Sequence, residues 1–161
     1  MQELRLYSFV NFYLSSIQQG VQTGHAAVDL VRKYNAPKGT PSQLGKQCDM
    51  VGDWADNHKT FIILNGGNFS SLNLTKDIIK QSGFPWVSFS EDVDSLDGML
   101  TTVAVVLPDY IFNVQPVREQ GSLIGYALPQ EDETNSTRIL YTPTHELYQL
   151  IQLVKSARLA S

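Results

Sequence analysis

Residues 4–34, LRLYSFVNFYLSSIQQGVQTGHAAVDLVRKY, join a strand pattern directly to a helix pattern. From Leu4 to Leu14, strongly apolar side chains alternate with polar or aromatic ones, which is typical of a strand with one face in the core. Ser16 and Gln19 have the spacing of a capping box, so we expect a helix to begin there and to run to about Tyr34. The sequence therefore predicts a β-strand followed at once by an amphipathic helix.

The predicted helix carries two rows of side chains on opposite sides. One row is apolar, and we expect it to be buried against the sheet: Ile17, Val21, Gly24, Val28 and Val31. The other row is polar: Gln18, Gln22, His25 and Asp29. Its amide, imidazole and carboxylate groups can bind a ligand through directed hydrogen bonds, although a solvated helix face has the same composition. Gly20 and Gly24 each cost about 1 kcal/mol in a helix interior, which predicts a close approach by the sheet, a ligand or a subunit.

Further strand and helix patterns complete one domain that spans residues 1–161. The strands are expected at Thr60–Leu64, Trp86–Phe89 and Thr101–Leu107, and the helices from about Ser71 to Gln81 and from Thr144 onward. This order predicts an α/β fold with a mixed sheet of four or slightly more strands and helices on both faces. Residues 109–141 contain strand-like pieces and are expected to form a hairpin or small annex: Ile111–Val114, Leu123–Leu128 and Arg138–Tyr141.

Composition excludes several classes of protein. With 42% hydrophobic and 17% charged residues, the chain of 161 residues is too apolar to be disordered. Its formal net charge of −4 disfavours a large nucleic-acid partner, because each neutralised phosphate needs a Lys or Arg. The single cysteine, Cys48, allows no internal disulfide, and the spacing of His25, His58 and His145 is not that of metal ligands. We expect no metal, no cofactor and no membrane partner, and a cytoplasmic location because no signal pattern is present.

The turn Asn65-Gly66-Gly67-Asn68 lies between a predicted strand and a predicted helix. Backbone N–H groups at such a place can hold an anion. The turn lacks the lysine and the full glycine spacing of known phosphate-binding loops. It is therefore interpreted either as a plain tight turn, which we favour, or as an anion cradle.

Two segments resemble the type II peptidyl-tRNA hydrolases. Gln22, His25, Ala26 and Ala27 match the second half of the family pattern Gly-Lys-x-x-x-Gln-x-x-His-Ala-Ala on the first helix. Residues 89–104, FSEDVDSLDGMLTTVA, resemble the family's acidic turn that leads into a Thr-rich last strand. The element order agrees over about residues 4–35 and 58–108 and in the C-terminal helix. For a hydrolase, the resemblance implies a catalytic set of four residues: Gln22, His25, Asp94 and Thr101.

One departure from the family pattern bears on activity. The family's catalytic lysine lies seven residues before the histidine, where this chain has Gln18. Ester hydrolysis needs a positioned charge for the developing oxyanion, and an amide supplies none. The sequence thus favours a ligand-binding protein over an enzyme. The resemblance and the polar row together imply these ligand-binding residues: Gln18, Gln22, His25, Glu91, Asp94, Thr101 and Thr102.

Three functions follow as expectations. The first is non-catalytic binding and sequestration of small nucleotide signals of the cyclic oligonucleotide class, by analogy with phage proteins that resemble this family and counter host defence. The second is a divergent peptidyl-tRNA hydrolase, for which tRNA would be the partner. The third is a protein-interaction module without a ligand. The resemblance also implies a homodimer and, for a phage protein, a location in the host cytoplasm.

Overall fold

The structure, a computed structural model, describes residues 2–92, 94, 98–128, 140–141 and 143–160. Its larger sheet has the strand order β2-β1-β4-β3. The bounds are β1 Leu4–Val10, β2 Thr60–Asn65, β3 Trp86–Ser90 and β4 Leu100–Pro108. β1 and β2 are parallel, whereas β4 is antiparallel to both β1 and β3. The predicted mixed four-stranded sheet is therefore confirmed.

Helices cover both faces of this sheet, as predicted. Their bounds are α1 Ser16–Lys33, α2 Gln43–Asp53, α3 Phe69–Gln81, α4 Tyr110–Asn113 and α5 His145–Ser156, with a π-helical turn at Trp54–His58. Alternate residues of β4 enter two separate cores. Ala104 and Val106 pack with residues of α1 and α2, whereas Val103 and Val105 pack with residues of α3 and α5. None of the helices in the described part of the chain has the length and hydropathy of a bilayer-spanning segment.

The orientation of α1 is the reverse of the predicted one. The apolar row faces solvent: Ile17 is 81% exposed and Val28 is 59% exposed, and Val21 and Val31 are also exposed. The helix instead packs on the sheet through the opposite side, which carries Gln19, Gln22, Thr23, Ala26 and Leu30. The prediction that the apolar row is the buried stripe is wrong.

The polar side chains on the buried side of α1 are stable there because they have hydrogen-bond partners. The hydroxyls of Thr23 and Ser8 share a hydrogen bond of 2.8 Å in the core. Gln19 donates its side-chain N–H to the carbonyl of Leu14 at 3.1 Å. A buried polar group with a partner costs little compared with an unpaired one. Hydrogen bonds therefore allow a partly polar helix face to be buried.

The capping box lies one residue earlier than predicted. Ser15 is the N-cap, and its hydroxyl accepts from the backbone N–H of Gln18 at 3.3 Å. The side-chain oxygen of Gln18 accepts in return from the backbone N–H of Ser15 at 3.0 Å. Ser16 is the first helical residue, not the cap. The amide oxygen of Gln18 is thus engaged at the start of α1.

The segment after β4 begins with the short helix α4, so Ile111–Asn113 is helical and not the predicted strand piece. β5 (Gln115–Glu119) and β6 (Ser122–Ala127) then pair as an antiparallel hairpin. Its turn, Gln120–Gly121, has positive φ at both residues. β7 (Leu140–Tyr141) pairs with β6, while residues 129–139 lie outside the described ranges. After α5 the chain returns to the edge of β2, where Leu159 forms a bridge with Leu64.

Candidate functional site

Gln22 connects α1 to the end of β3 and the start of β4. Its side chain is 4% exposed, and its N–H donates to the Glu91 carboxylate. Its amide oxygen accepts from the Thr101 hydroxyl at 2.9 Å. The register shift between Phe89 and Ser90 lies beside this contact, and the Thr101 hydroxyl is also 3.2 Å from the Phe89 carbonyl. Three of the predicted site residues are therefore in one hydrogen-bonded cluster.

His25 lies at the rim of this cluster. Its side chain is exposed, and its ring centroid is 4.9 Å from that of Phe89 at an interplanar angle of 56°. Because Phe89 also accepts from Thr101 through its carbonyl, His25 borders the same end of β3. This position leaves the imidazole accessible from solvent.

The other three predicted site residues do not belong to this hydrogen-bonded cluster. Gln18 is exposed and is engaged in the helix cap. Thr102 is fully buried, and its hydroxyl has no hydrogen-bond partner among the described residues. Asp94 is exposed, between neighbours that lie outside the described ranges. The ligand-binding roles of these three residues stay predictions.

A groove between α1 and β3 contains two cations, Arg32 and Lys33, that the sequence did not single out. It has a volume of about 590 Å³ and is lined by Asp29, Arg32, Lys33, Trp86, Val87 and Ser88. The Lys33 ammonium lies 4.8 Å from the centroid of the Trp86 ring and donates to the Trp86 carbonyl at 3.0 Å. Asp29 belongs to the polar row of α1, and Lys33 extends that row by one turn. The sequence signal for this groove is that the polar row of α1 continues at helical spacing to Lys33, near the end of the helix.

The edge position of β3 adds backbone groups to this groove. β3 is an outer strand of the sheet. The Trp86 N–H donates outward to the Tyr34 hydroxyl at 3.1 Å, and its carbonyl accepts from the same hydroxyl and from Lys33. In an antiparallel strand, every second residue directs both backbone groups to the same side. The N–H and carbonyl of Ser88 therefore point outward beside Lys33.

Both glycine N–H groups of the turn Asn65–Asn68 bond within the protein, which favours a tight turn over an anion cradle. The Gly66 N–H donates to the Val10 carbonyl at 2.7 Å, and the Gly67 N–H donates to the Asn65 side chain at 2.8 Å. A Cβ on Gly66 would lie 2.5 Å from a terminal methyl of Leu72 and 3.0 Å from the Val10 carbonyl oxygen, so a larger residue would crowd the backbone of β1. The neighbouring cavity of about 450 Å³ has one bordering cation, Arg158. Both glycine amides are thus unavailable to a ligand.

The comparisons with known proteins give no family for this chain. No protein-family model matches it, and no curated protein matches it. Across the described residues, no group of three or more His, Cys, Asp or Glu side chains is placed to hold a metal ion. The candidate site is therefore defined by its own geometry: the Gln22–Glu91–Thr101 cluster and the α1–β3 groove.

Proposed function

We propose that this protein binds and sequesters a small nucleotide, of the cyclic oligonucleotide class, in the groove between α1 and β3. The observation that carries the proposal is the pairing of Arg32 and Lys33 with the half-buried Trp86 in one groove. Cations neutralise phosphates, and an aromatic ring stacks on a base at a contribution of about 1–3 kcal/mol. The outward N–H and carbonyl of Ser88 add hydrogen bonds for a base edge. On a chain of net charge −4, two cations beside one carboxylate, Asp29, suit a small anion better than a long polyanion.

The proposed role is binding without hydrolysis, on a fold like that of the type II peptidyl-tRNA hydrolases. The Gln22–Glu91–Thr101 cluster corresponds to the residues that carry the resemblance. At the position of the family's lysine stands Gln18, whose amide oxygen is engaged in the helix cap. The position therefore contributes no positive charge to a developing oxyanion.

Calorimetric titration with a panel of cyclic dinucleotides and their linear forms tests the proposal. We expect one tight cyclic ligand, recovered chemically intact after the protein is denatured. A labelled peptidyl-tRNA is incubated in parallel. Turnover of its ester would support the hydrolase alternative and overturn sequestration. Binding of neither ligand class would favour a protein-interaction module.

Lys33→Gln is expected to weaken binding of the best panel ligand about tenfold, because one phosphate contact is lost. The matched control is Lys80→Gln, which removes an exposed lysine from α3 on the other face of the sheet. It makes the same change in net charge and should leave the affinity within about twofold. The two variants are compared by calorimetry at one salt concentration. Equal losses for both would show that binding follows net charge and not the groove.

The exposed apolar row of α1 is the proposed interface of a homodimer. Ile17 and Val31 each lie seven residues from Gly24, and Val21 and Val28 lie three and four residues from it on either side. An antiparallel copy of α1 that crosses at Gly24 would therefore place Ile17 against the partner's Val31. A Cβ built on Gly20 or Gly24 meets no atom within 4 Å, so both glycines leave room for the partner helix. Such a contact is the same on both protomers, as a two-fold axis requires.

A further inference from the structure

A separate cavity of about 250 Å³ lies beside α5 at the β1–β2 side of the sheet, away from the α1–β3 groove at the β3 edge. Most of its lining is apolar: Ile62, Leu64, Phe112, Val154, Ala157 and Leu159. Two polar residues of β1, Arg5 and Tyr7, complete the lining. A cavity of 150 Å³ holds benzene, so this one has room for about ten non-hydrogen atoms.

The two polar residues each carry a buried atom without a hydrogen-bond partner. Tyr7 is 2% exposed, and neither its hydroxyl nor the Nε of Arg5 has a partner among the described residues. The Arg5 guanidinium is bound through Nη2 to the Glu3 carboxylate at 3.0 Å, so Nε remains as a donor. Burial raises the pKa of Tyr7, and the side-chain contact with the Arg5 guanidinium opposes that rise. Unpaired groups of this kind are costly in a folded protein, which makes them a signature of a missing acceptor.

We infer that this cavity binds a small molecule with an unbranched apolar chain of about eight carbons and a carboxylate head. The chain would lie among the apolar side chains from β2, α4 and α5. The carboxylate would accept hydrogen bonds from Tyr7 and Arg5. Two donors bind an anionic oxygen more strongly than they bind a neutral hydroxyl. The inference is independent of nucleotide binding, because the groove and this cavity lie at different edges of the sheet and share no residue.

Titration with sodium octanoate tests the inference, with 1-octanol as the neutral probe of equal chain length. We expect octanoate to bind one site per chain with a dissociation constant of about 0.1–1 mM, and octanol to bind at least fivefold more weakly. Ala157→Leu fills the cavity from its partly exposed side and should abolish the site. Octanoate binding that survives Ala157→Leu, or no saturable binding at all, would overturn the inference.

Tyr7→Phe isolates the head group. It keeps the ring and removes the unpaired hydroxyl, so it should raise Tm without ligand by about 3 °C and weaken octanoate binding about five- to tenfold. Tyr126→Phe is the control, because Tyr126 is an equally buried tyrosine that does not line the cavity. It should leave octanoate affinity unchanged. Unchanged affinity in Tyr7→Phe, or octanol binding as tightly as octanoate, would show that no carboxylate is recognised there.

Discussion

Gln22→Ala is expected to lower the free energy of unfolding by about 2–4 kcal/mol. The variant removes the acceptor of the Thr101 hydroxyl and the donor to Glu91, and it leaves a cavity between α1 and the sheet. Each lost hydrogen bond costs about 0.5–1.5 kcal/mol, and the lost packing adds to that cost. The Phe89 carbonyl at 3.2 Å remains as an acceptor for Thr101, which keeps the total below the sum of the separate losses. Urea denaturation followed by circular dichroism measures the change.

Two further variants separate the contributions. Gln22→Met retains most of the side-chain volume but makes neither hydrogen bond, so it should recover only the packing part of the loss. His25→Ala changes an exposed residue on the same helix and should alter stability by less than about 0.5 kcal/mol. If Gln22→Ala were no more destabilising than His25→Ala, the cluster would not form in solution. Gln22 would then be a surface residue, as a solvated polar row implies.

Because Gln22→Ala is expected to be unstable, weaker ligand binding by this variant would not show that Gln22 contacts the ligand. A side chain that is 4% exposed cannot contact a ligand over much of its surface. Its contribution to the site is to fix α1 against the end of β3, and these two elements form the walls of the groove. Lys33, at the C-terminal end of the same helix face, is exposed and is the better probe of binding.

The sequence predicted the fold class because its signals are local. Alternation in β1, the continuous apolar run of β2 and the capping residues of α1 each depend on a few neighbouring residues. Which side of α1 is buried depends instead on the sheet below it. Ser8 on β1 supplies a partner for Thr23, and Ala104 on β4 leaves space for the helix. Helical periodicity identifies two faces, but it does not say which of them has partners.

The candidate site was predictable only in part, for the same reason. Gln22 and Thr101 are 79 residues apart, and only their place in a known motif order suggested a common site. Lys33 and Trp86 are 53 residues apart and belong to no such motif. Their groove exists because β3 is an outer strand beside α1, and strand order is not visible in the pattern of any single strand.

Val28→Asp is expected to convert a dimer into a monomer. Across a symmetric contact, the four apolar side chains of each row would be buried at a gain on the order of 10 kcal/mol, since burying one such side chain fully contributes about 1.5–3 kcal/mol. Association costs about 4–15 kcal/mol, so the row supports at most a weak dimer, with a dissociation constant on the order of tens of micromolar. A carboxylate at Val28 would be desolvated in that contact and should raise the dissociation constant more than 100-fold. Sedimentation velocity at several concentrations measures the shift.

The matched control is Leu74→Asp, which adds the same charge at an exposed apolar residue of α3. It should leave the dimer intact, and both variants should unfold at nearly the wild-type temperature because both sites are on the surface. Wild-type protein that stays monomeric at several hundred micromolar would rule out the interface.

Charged substitutions at Val21 and Val28 test whether the two α1 helices pair in an antiparallel orientation. In an antiparallel arrangement that crosses beside Gly24, Val21 lies close to the partner's Val28. A chain with Val21→Lys and Val28→Lys should not self-associate, and neither should a chain with Val21→Asp and Val28→Asp, because like charges oppose each other across the axis. Mixed in equal amounts, the two should form a heterodimer whose stability falls as salt is added. A parallel arrangement would also pair unlike charges in this mixture. A third chain with Val21→Lys and Val28→Asp therefore decides between the parallel and antiparallel orientations. It should self-associate only when the helices are antiparallel, since only then does each lysine meet an aspartate of the partner.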